Sequence, residues 1–145
     1  MTGRVLDHDS AKMSLEGFDG RVALVTGAAG GIGRRVTETF LALGARVAAF
    51  DLTEPDIPGA VGIAMDVTDV DSVAAATATA EAEIGPASIL VTSAGIFNPT
   101  PFADIGVDLW RRTLDVNVTG TFTCVRAVIG GMCERGYGRI VTISS

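Results

Sequence analysis

The chain has 145 residues, of which 48% are hydrophobic and 19% are charged, and its formal net charge is −6 at pH 7. These values suit one folded domain with its own core and exclude an intrinsically disordered chain. The negative charge, without a run of lysines and arginines, argues against a nucleic-acid partner, and no apolar run is long enough to predict a membrane span.

The chain starts with a polar segment, residues 1–17, that shows no clear periodicity. We expect this segment to be a mobile N-terminal extension of a domain that covers residues 18–145. It contains the only histidine, His8, so no metal site is expected. The two cysteines, Cys124 and Cys133, fall in one predicted helix where they cannot pair, which indicates buried, reduced thiols in a cytoplasmic protein.

The first strong pattern is a short apolar strand, residues 22–25, followed by four glycines within residues 27–33. Apolar residues at helical spacing come next, at Val36, Phe40 and Leu43, and Gly44 is a predicted C-terminal cap. The glycines therefore connect a buried strand to a helix N-terminus. The free N–H groups and the dipole of a helix N-terminus together favour a phosphate group.

A second strand, residues 46–50, ends on Asp51. An acidic residue at this position, about 20 residues after a glycine-rich turn, accepts hydrogen bonds from the hydroxyl groups of an adenine ribose. The same negative charge repels a 2′-phosphate. The sequence therefore predicts a dinucleotide site that prefers NAD to NADP.

Three further strands and two helices complete the predicted order. Residues 61–65 and 88–91 are the third and fourth strands, and between them a helix runs from about 69 to 84 after a Thr68-x-x-Asp71 N-cap pattern. A helix over 108–118 continues to about 132, with Trp110 as a core anchor, and residues 140–143 are the fifth strand. Right-handed crossovers then give a doubly wound α/β parallel sheet of order 3-2-1-4-5, with ligands beyond the carboxyl ends of strands one and four.

Five ordered motifs resemble the short-chain dehydrogenase/reductase family. They are Thr26-Gly27-x-x-x-Gly31-Ile32-Gly33, Asp66-Val67, Thr92-Ser93-Ala94-Gly95, Asn117, and Gly138 to Ser145. The resemblance implies a Rossmann fold in which Asp66 meets the adenine amino group and Ser93 to Gly95 approach the nicotinamide side. The cofactor residues it implies are Gly27, Ala29, Gly31, Ile32, Gly33, Asp51, Leu52, Asp66, Val67, Ser93, Ala94 and Gly95. Relatives usually carry two asparagines where this chain has Thr92 and Ser93, so some bridging between strands is expected to be lost or replaced by water.

The resemblance also implies two catalytic residues. Asn117 is expected in a local helix distortion, where it holds a water beside a catalytic lysine, and Ser145 is expected to hydrogen-bond the substrate oxygen, with Ser144 as the alternative. The family's Tyr-x-x-x-Lys motif would follow Ser145; the only lysine here is Lys12, and Tyr137 has no lysine four residues on. We therefore expect the N-terminal part of a longer enzyme, a homodimer or homotetramer when complete, whose 145 residues alone are inactive.

Three functions remain open from the sequence. The leading hypothesis is an NAD-dependent oxidoreductase that acts on a small alcohol or ketone. A second is a nucleotide-binding or sensing module that binds the cofactor without turnover, which the missing tyrosine and lysine favour. A Rossmann-like methyltransferase is the third, and the wide glycine spacing disfavours it.

Overall fold

The computed structural model describes residues 17–144. The predicted N-terminal extension, apart from Gly17, and the predicted catalytic Ser145 lie outside the described residues. The strands are β1 (Val22–Thr26), β2 (Arg46–Asp51), β3 (Val61–Ala64), β4 (Ile89–Thr92) and β5 (Arg139–Thr142). The α-helices are α1 (Gly31–Ala42), α2 (Val70–Ile84), α3 (Val107–Leu114) and α4 (Gly120–Glu134), with a 3₁₀ turn at Phe102–Asp104 and a π-helical turn at Asp115–Thr119.

The five strands form one parallel sheet in the order β3-β2-β1-β4-β5, as the sequence predicts. Strand β1 is central and every one of its residues is buried, which explains its apolar sequence. Its last residue, Thr26, lies in register between Phe50 of β2 and Thr92 of β4. The carboxyl ends of these three strands therefore share one edge, which we call the carboxyl edge, and the opposite edge is the amino edge.

Hydrophobic cores cover both faces of the sheet at β1, β2 and β4, whereas β5 is mostly exposed. Helix α1 packs on one face, where Val36 and Phe40 meet a cluster that includes Val25 and Val47. Helices α2 and α4 pack on the other face over the side chains of Leu24, Phe50 and Leu90. Because each helix runs antiparallel to the strands, the N-termini of the helices lie at the carboxyl edge.

The predicted end of α1 is confirmed, whereas the predicted start of α2 is wrong. Gly44 follows α1 with a φ of +87° and donates its N–H to the carbonyl of Leu41, as a C-terminal glycine does. The predicted cap of α2 at Thr68 is wrong. The cap is Asp69, whose carboxylate accepts hydrogen bonds from the N–H groups of Asp71 and Ser72, because the chain enters the helix one residue later than the pattern indicates.

Helix α3 differs most from the prediction. Trp110 was expected in the core, but 51% of its surface is exposed, and α3 has no buried residue. Trp110, Leu114, Val118 and Phe122 follow each other at four-residue spacing on the face that points away from the sheet, and all four are exposed. Helical periodicity identifies an apolar face, but it does not state which surface that face meets.

The two cysteines lie in α4 as predicted, but only one of them is buried. Cys124 faces the sheet with Val128 and Met132, and burial raises the pKa of its thiol to about 11. Cys133 is exposed, which contradicts the prediction, because it lies one residue beyond the buried i, i+4 row. No helix within residues 17–144 is long and apolar enough to cross a bilayer.

Candidate cofactor site

A cleft of about 820 Å³ lies at the carboxyl edge of the sheet. Its walls come from the loop after β1, from the ends of β2, β3 and β4, and from α3. The residues that line it and that the sequence predicts for a cofactor are Gly27, Gly31, Ile32, Gly33, Asp51, Leu52, Asp66, Val67, Ser93, Ala94 and Gly95. The structure thus brings together all the predicted cofactor residues except Ala29, whose role is described below.

Three glycines shape this site in different ways. Gly27 has a φ of +67°, and a Cβ there would lie 2.7 Å from the backbone nitrogen of Ala94, so the loop passes directly over the end of β4. A Cβ on Gly33 would overlap the carbonyl oxygen of Gly27, so only glycine lets α1 begin this close to the loop. Gly31, by contrast, has no atom within 4 Å of its ideal Cβ. Its open side allows a ligand to approach the backbone closely, as a pyrophosphate does in dinucleotide sites.

The N-terminus of α1 is prepared for an anion. Gly30 is its N-cap residue, no side chain within residues 17–144 caps it, and its first turn has no acidic residue. Helix α2 starts differently, with Asp69 as the cap and Asp71 in the first turn. Since the first N–H groups of a helix need acceptors, the start of α1 leaves donors for a phosphate, whereas the start of α2 is satisfied internally.

Thr26 joins the two strands at the centre of the site. Its buried hydroxyl accepts hydrogen bonds from the N–H groups of Ser93 and Ala94, at 3.2 and 3.1 Å. This contact fixes the loop after β4 under Gly27. Thr26 belongs to the glycine motif of the sequence without a predicted role of its own. Its position as the last residue of a buried strand is the signal that could have identified it.

Asp51 is held in place by two backbone donors. One carboxylate oxygen, Oδ2, accepts from the N–H of Ala29 at 3.0 Å, and the other, Oδ1, accepts from the N–H of Leu52 at 2.8 Å. Leu52 itself is 66% exposed beside the cleft. The negative charge of Asp51 therefore lies at the end of β2 with a fixed orientation, and each carboxylate oxygen retains acceptor capacity for a ligand hydroxyl.

Asp66 has both a structural and a ligand-facing aspect. Its Oδ1 accepts hydrogen bonds from the hydroxyl and the N–H of Thr68, at 2.7 and 2.9 Å. These bonds, with a smaller contribution from the positive charge of Arg112, hold the pKa of Asp66 below its usual value, while partial burial opposes the shift. Asp66 thus shapes the turn before α2 and also lines the cleft as a carboxylate.

Asn117 does not line the cleft itself but holds the loop beside it. It lies in the π-helical turn, where a helix distortion was expected. Its side-chain oxygen accepts from the N–H of Ile96 at 2.8 Å, and its side-chain nitrogen donates to the carbonyl of Ile96 at 3.0 Å. Its backbone carbonyl accepts a hydrogen bond from the hydroxyl of Thr121. The extra residue of the π turn directs this side chain at the loop after β4.

The asparagine-to-threonine departure has a visible consequence. The hydroxyl of Thr92 is buried and has no hydrogen-bond partner among residues 17–144, although β4 has a neighbour on each side. An asparagine carries both a donor and an acceptor on a longer side chain, whereas a threonine hydroxyl reaches less far. The Thr92 side chain therefore bridges to no other described residue, and replacement of that bridge by water stays a prediction.

One wall of the cleft was not predicted from the sequence. Four charged residues of α3 and the π turn line it, and their spacing of three or four residues marks one helix face: Asp108, Arg111, Arg112 and Asp115. That spacing is present in the sequence, but the helix was interpreted from its apolar positions and not from its charged ones. Within the described part of the chain, no group of three or more His, Cys, Asp or Glu residues is arranged to hold a metal ion.

Comparisons with known proteins agree with this geometry. The profile of the short chain dehydrogenase family matches residues 21–145. The chain is 40% identical over 136 residues to a 2-dehydro-3-deoxy-L-rhamnonate dehydrogenase (NAD(+)) of Sphingomonas sp., covering 88% of this chain and 55% of that protein. It is 40% identical over 139 residues to a D-threitol dehydrogenase of Mycolicibacterium smegmatis, covering 88% and 54%. The chain spans about half the length of the curated relatives it matches.

A solved structure shows the same architecture. The ligand-free aldohexose dehydrogenase of Thermoplasma acidophilum superposes with a TM-score of 0.83 at 34% identity, covering 88% of this chain and 50% of that one. The shared fold and the family match over nearly the whole described region leave no support for the methyltransferase alternative. The strand order, the glycine-rich turn and the family match together place this chain in the short-chain dehydrogenase/reductase family.

Proposed function

We propose that residues 18–145 form the NAD(H)-binding domain of an oxidoreductase that transfers a hydride between nicotinamide and a carbonyl or secondary alcohol. The cleft at the carboxyl edge is the observation that carries this proposal. It combines an uncapped helix N-terminus, an open backbone at Gly31 and a fixed carboxylate at Asp51. These groups suit a pyrophosphate and a ribose, and the bound nicotinamide would supply the hydride chemistry.

The charges around the ribose position favour NAD over NADP. Asp51 repels a 2′-phosphate, and the next residue is the uncharged Leu52. Arg34 and Arg35 are near in sequence, but both pair with Glu38, at 3.1 and 3.4 Å, and so extend along α1. We expect titration calorimetry of the 145-residue chain to give tighter binding for NAD⁺ than for NADP⁺. Tighter binding of NADP⁺ would contradict this preference.

We assign the catalytic roles from the family pattern. Ser145 is proposed to hydrogen-bond the substrate oxygen, and Asn117 to position a water near a catalytic lysine. The tyrosine and lysine of the family motif are not among residues 1–145, and Tyr137 is at the opposite edge of the sheet, between Arg21 and Arg139. We therefore propose that the 145 residues alone bind NAD without transferring hydride. NADH formation by this chain with any alcohol would contradict that proposal.

The substrate class is proposed as a small hydroxylated alcohol or ketone. The names of the relatives cited above, which describe a sugar-acid and a polyol dehydrogenase, support this class. A longer chain with the Tyr-x-x-x-Lys motif, tested on polyols and their ketones, would examine it directly. Turnover only of apolar alcohols would contradict the proposed class.

Two further aspects are proposed on single observations. The exposed apolar face of α3 and α4, with Trp110, Val118 and Phe122, supports a homo-oligomer, a dimer or a tetramer, which ultracentrifugation of a longer chain would measure. The free thiols of Cys124 and Cys133 suit a cytoplasmic location. Fractionation of the source cells tests that location.

A second candidate function is a nucleotide-binding or sensing module without turnover. The same cleft, with the uncapped start of α1 and the fixed carboxylate of Asp51, would serve such a module equally well. The activity of the natural chain distinguishes the two functions. A longer natural chain with the motif and with dehydrogenase activity supports the oxidoreductase, and a natural chain that binds NAD without activity on any substrate supports the module.

A further inference from the structure

The glycine-rich loop, residues 27–30, is attached to β2 through two successive N–H groups. Ala28 donates its N–H to the carbonyl of Phe50 at 3.0 Å, and Ala29 donates its N–H to the carboxylate of Asp51 at 3.0 Å. Backbone alone makes the first link, so almost any sequence could form it. The second link requires a side chain with an acceptor at position 51.

Asp51 can hold this link because its second oxygen is fixed as well. Oδ1 accepts from the N–H of Leu52, so the carboxylate has its two oxygens directed at donors on either side. Ala28 is completely buried, whereas Ala29 is exposed. The buried half of the loop is therefore stabilised by packing, while the exposed half, which leads to the start of α1, depends on the carboxylate.

We propose that Asp51 is a positioning residue for the phosphate-binding loop, in addition to any contact with ribose. The inference rests on the proposed NAD-binding function. Asp51 then links the ribose position of the site to the phosphate position. The same carboxylate that selects the ribose also orders the backbone N–H groups that bind the phosphates. Loss of the carboxylate then weakens binding of phosphate groups even when the ligand has no ribose hydroxyl groups.

Electrostatics alone predicts the opposite change in the affinity for phosphate groups. Removal of a negative charge near a phosphate site increases the attraction for an anion. If Asp51 acted only on ribose hydroxyl groups, its replacement would leave a ligand without those hydroxyl groups unaffected or more tightly bound. A loss of affinity for such a ligand therefore identifies positioning of the loop.

The test compares ADP with 2′,3′-dideoxy-ADP on the wild-type chain and on Asp51→Asn. Asparagine has the same shape but only one side-chain oxygen, so it cannot accept from both Ala29 and Leu52. We expect the affinity of Asp51→Asn for dideoxy-ADP to fall about fivefold, as for one lost hydrogen bond, and the affinity for ADP to fall further. Asp51→Ser removes the carboxylate in a second way and is expected to show the same loss.

A matched control is available at Asp69. This aspartate also accepts from two backbone N–H groups, those of Asp71 and Ser72, but it caps α2 and does not line the cleft. Because one oxygen, Oδ1, accepts both bonds, asparagine would keep them. The control is therefore Asp69→Ala, which removes the cap and is expected to lower the free energy of unfolding and to bind dideoxy-ADP as the wild type does. A fall in affinity of the same size in this control would attribute the effect to general destabilisation and would overturn the inference.

Amide hydrogen exchange gives a second measurement in the absence of ligand. The N–H of Ala29 is expected to exchange at least about tenfold faster in Asp51→Ser, whose short side chain lacks both carboxylate oxygens, than in the wild type, with the N–H of Ala28 unchanged. Unchanged exchange at Ala29, or unchanged or tighter dideoxy-ADP binding by Asp51→Asn, overturns the inference while NAD binding stands. If the wild-type chain binds neither ADP nor NAD, the proposed function itself fails.

Discussion

The two edges of the sheet hold their charged side chains in different ways. At the carboxyl edge, Asp51 and Asp66 lie beside the uncapped start of α1 around an open cleft. At the amino edge, arginine side chains are held by the protein itself: Arg46 and Arg135 donate to the carbonyls of Gly20 and Ala87, at 3.2 and 2.7 Å.

The arginines of the amino edge are held by hydrogen bonds and packing. Helices α1, α2 and α4 all end at that edge, but none of them has a basic residue in its last turn. Tyr137 adds a packing site there, with the guanidinium carbons of Arg21 and Arg139 at 4.0 and 4.9 Å from its ring centre. The arginines named at the amino edge therefore have partners within the protein, whereas the N–H groups at the start of α1 are donors that a ligand can use.

The largest expected difference between the edges concerns two glycines with almost the same backbone conformation. Gly27 at the carboxyl edge has a φ of +67°, and Gly136 at the amino edge has a φ of +65°. Alanine at position 136 has open space, so only its left-handed conformation lowers the free energy of unfolding, by about 1 kcal/mol. Alanine at position 27 also meets the backbone of Ala94, so the expected cost is about 3 kcal/mol or more.

Urea unfolding of Gly27→Ala and Gly136→Ala measures both costs. Equal free energies of unfolding for the two variants would show that the loop is not packed on β4 as described. If Gly27→Ala does not fold at all, the result agrees with the larger cost, and Gly136→Ala remains the reference for the conformational part.

A smaller difference is expected between two threonines that are neighbours in the sheet. Thr26 accepts two N–H groups, whereas the hydroxyl of Thr92 has no partner among the described residues. Thr26→Val leaves two donors unsatisfied and is expected to lower the free energy of unfolding by about 2 kcal/mol. Thr92→Val is expected to be neutral or to stabilise by up to about 1 kcal/mol. Chemical denaturation of both variants tests the contrast, which a larger loss for Thr92→Val would refute.

At the amino edge, Arg135→Gln tests whether that edge is purely structural. The variant loses the charged hydrogen bond to Ala87, so we expect a decrease of about 1 kcal/mol in the free energy of unfolding. The affinity for NAD⁺ is expected to stay within about twofold of the wild type, because the cleft is at the other edge. Calorimetry checks both values on one sample. A large loss of NAD⁺ affinity would mean that the two edges are not independent.

The smallest expected effect concerns the titration of Asp66. The Thr68 hydroxyl is the main cause of its lowered pKa, so Thr68→Val is expected to move that pKa back toward its usual value. Because the pKa is lower in the folded state, Asp66 contributes stability above the unfolded-state pKa, and this contribution is lost as the pH falls through the folded-state pKa. NMR titration of the Asp66 carboxyl group in both proteins measures the shift. The same pKa in the two proteins would contradict the assigned cause.

Much of the fold could be predicted because its signals are local. Buried parallel strands such as β1 are continuous apolar runs, and glycines such as Gly44 mark turns because they adopt a positive φ. Strand order followed from the handedness of the crossovers. The side of α3 that meets the sheet could not be predicted, because Trp110 and its apolar neighbours would suit either a core or a second protein surface.

The lining of the cleft was largely predictable from the sequence, but the contacts within it were not. The positions of Asp51 and Asp66 at strand ends could be read from the sequence, whereas the bonds from Ala29 to Asp51 and from Thr68 to Asp66 depend on loop conformations. The charged residues of α3 share one helix face in the sequence, but their approach to the cleft depends on where the fold places α3. Long-range placement of this kind has no signature in one sequence.

The most direct test of the central claim is a titration of the isotopically labelled 145-residue chain with NAD⁺, followed by amide NMR shifts. The account predicts saturable shifts at residues 27–33, at Asp51 and Asp66 and at Ala94, with the signals of Arg21, Tyr137 and Arg139 unchanged. Shifts concentrated at the amino edge, or no saturable shift at all, would contradict the assignment of the carboxyl edge as the NAD site.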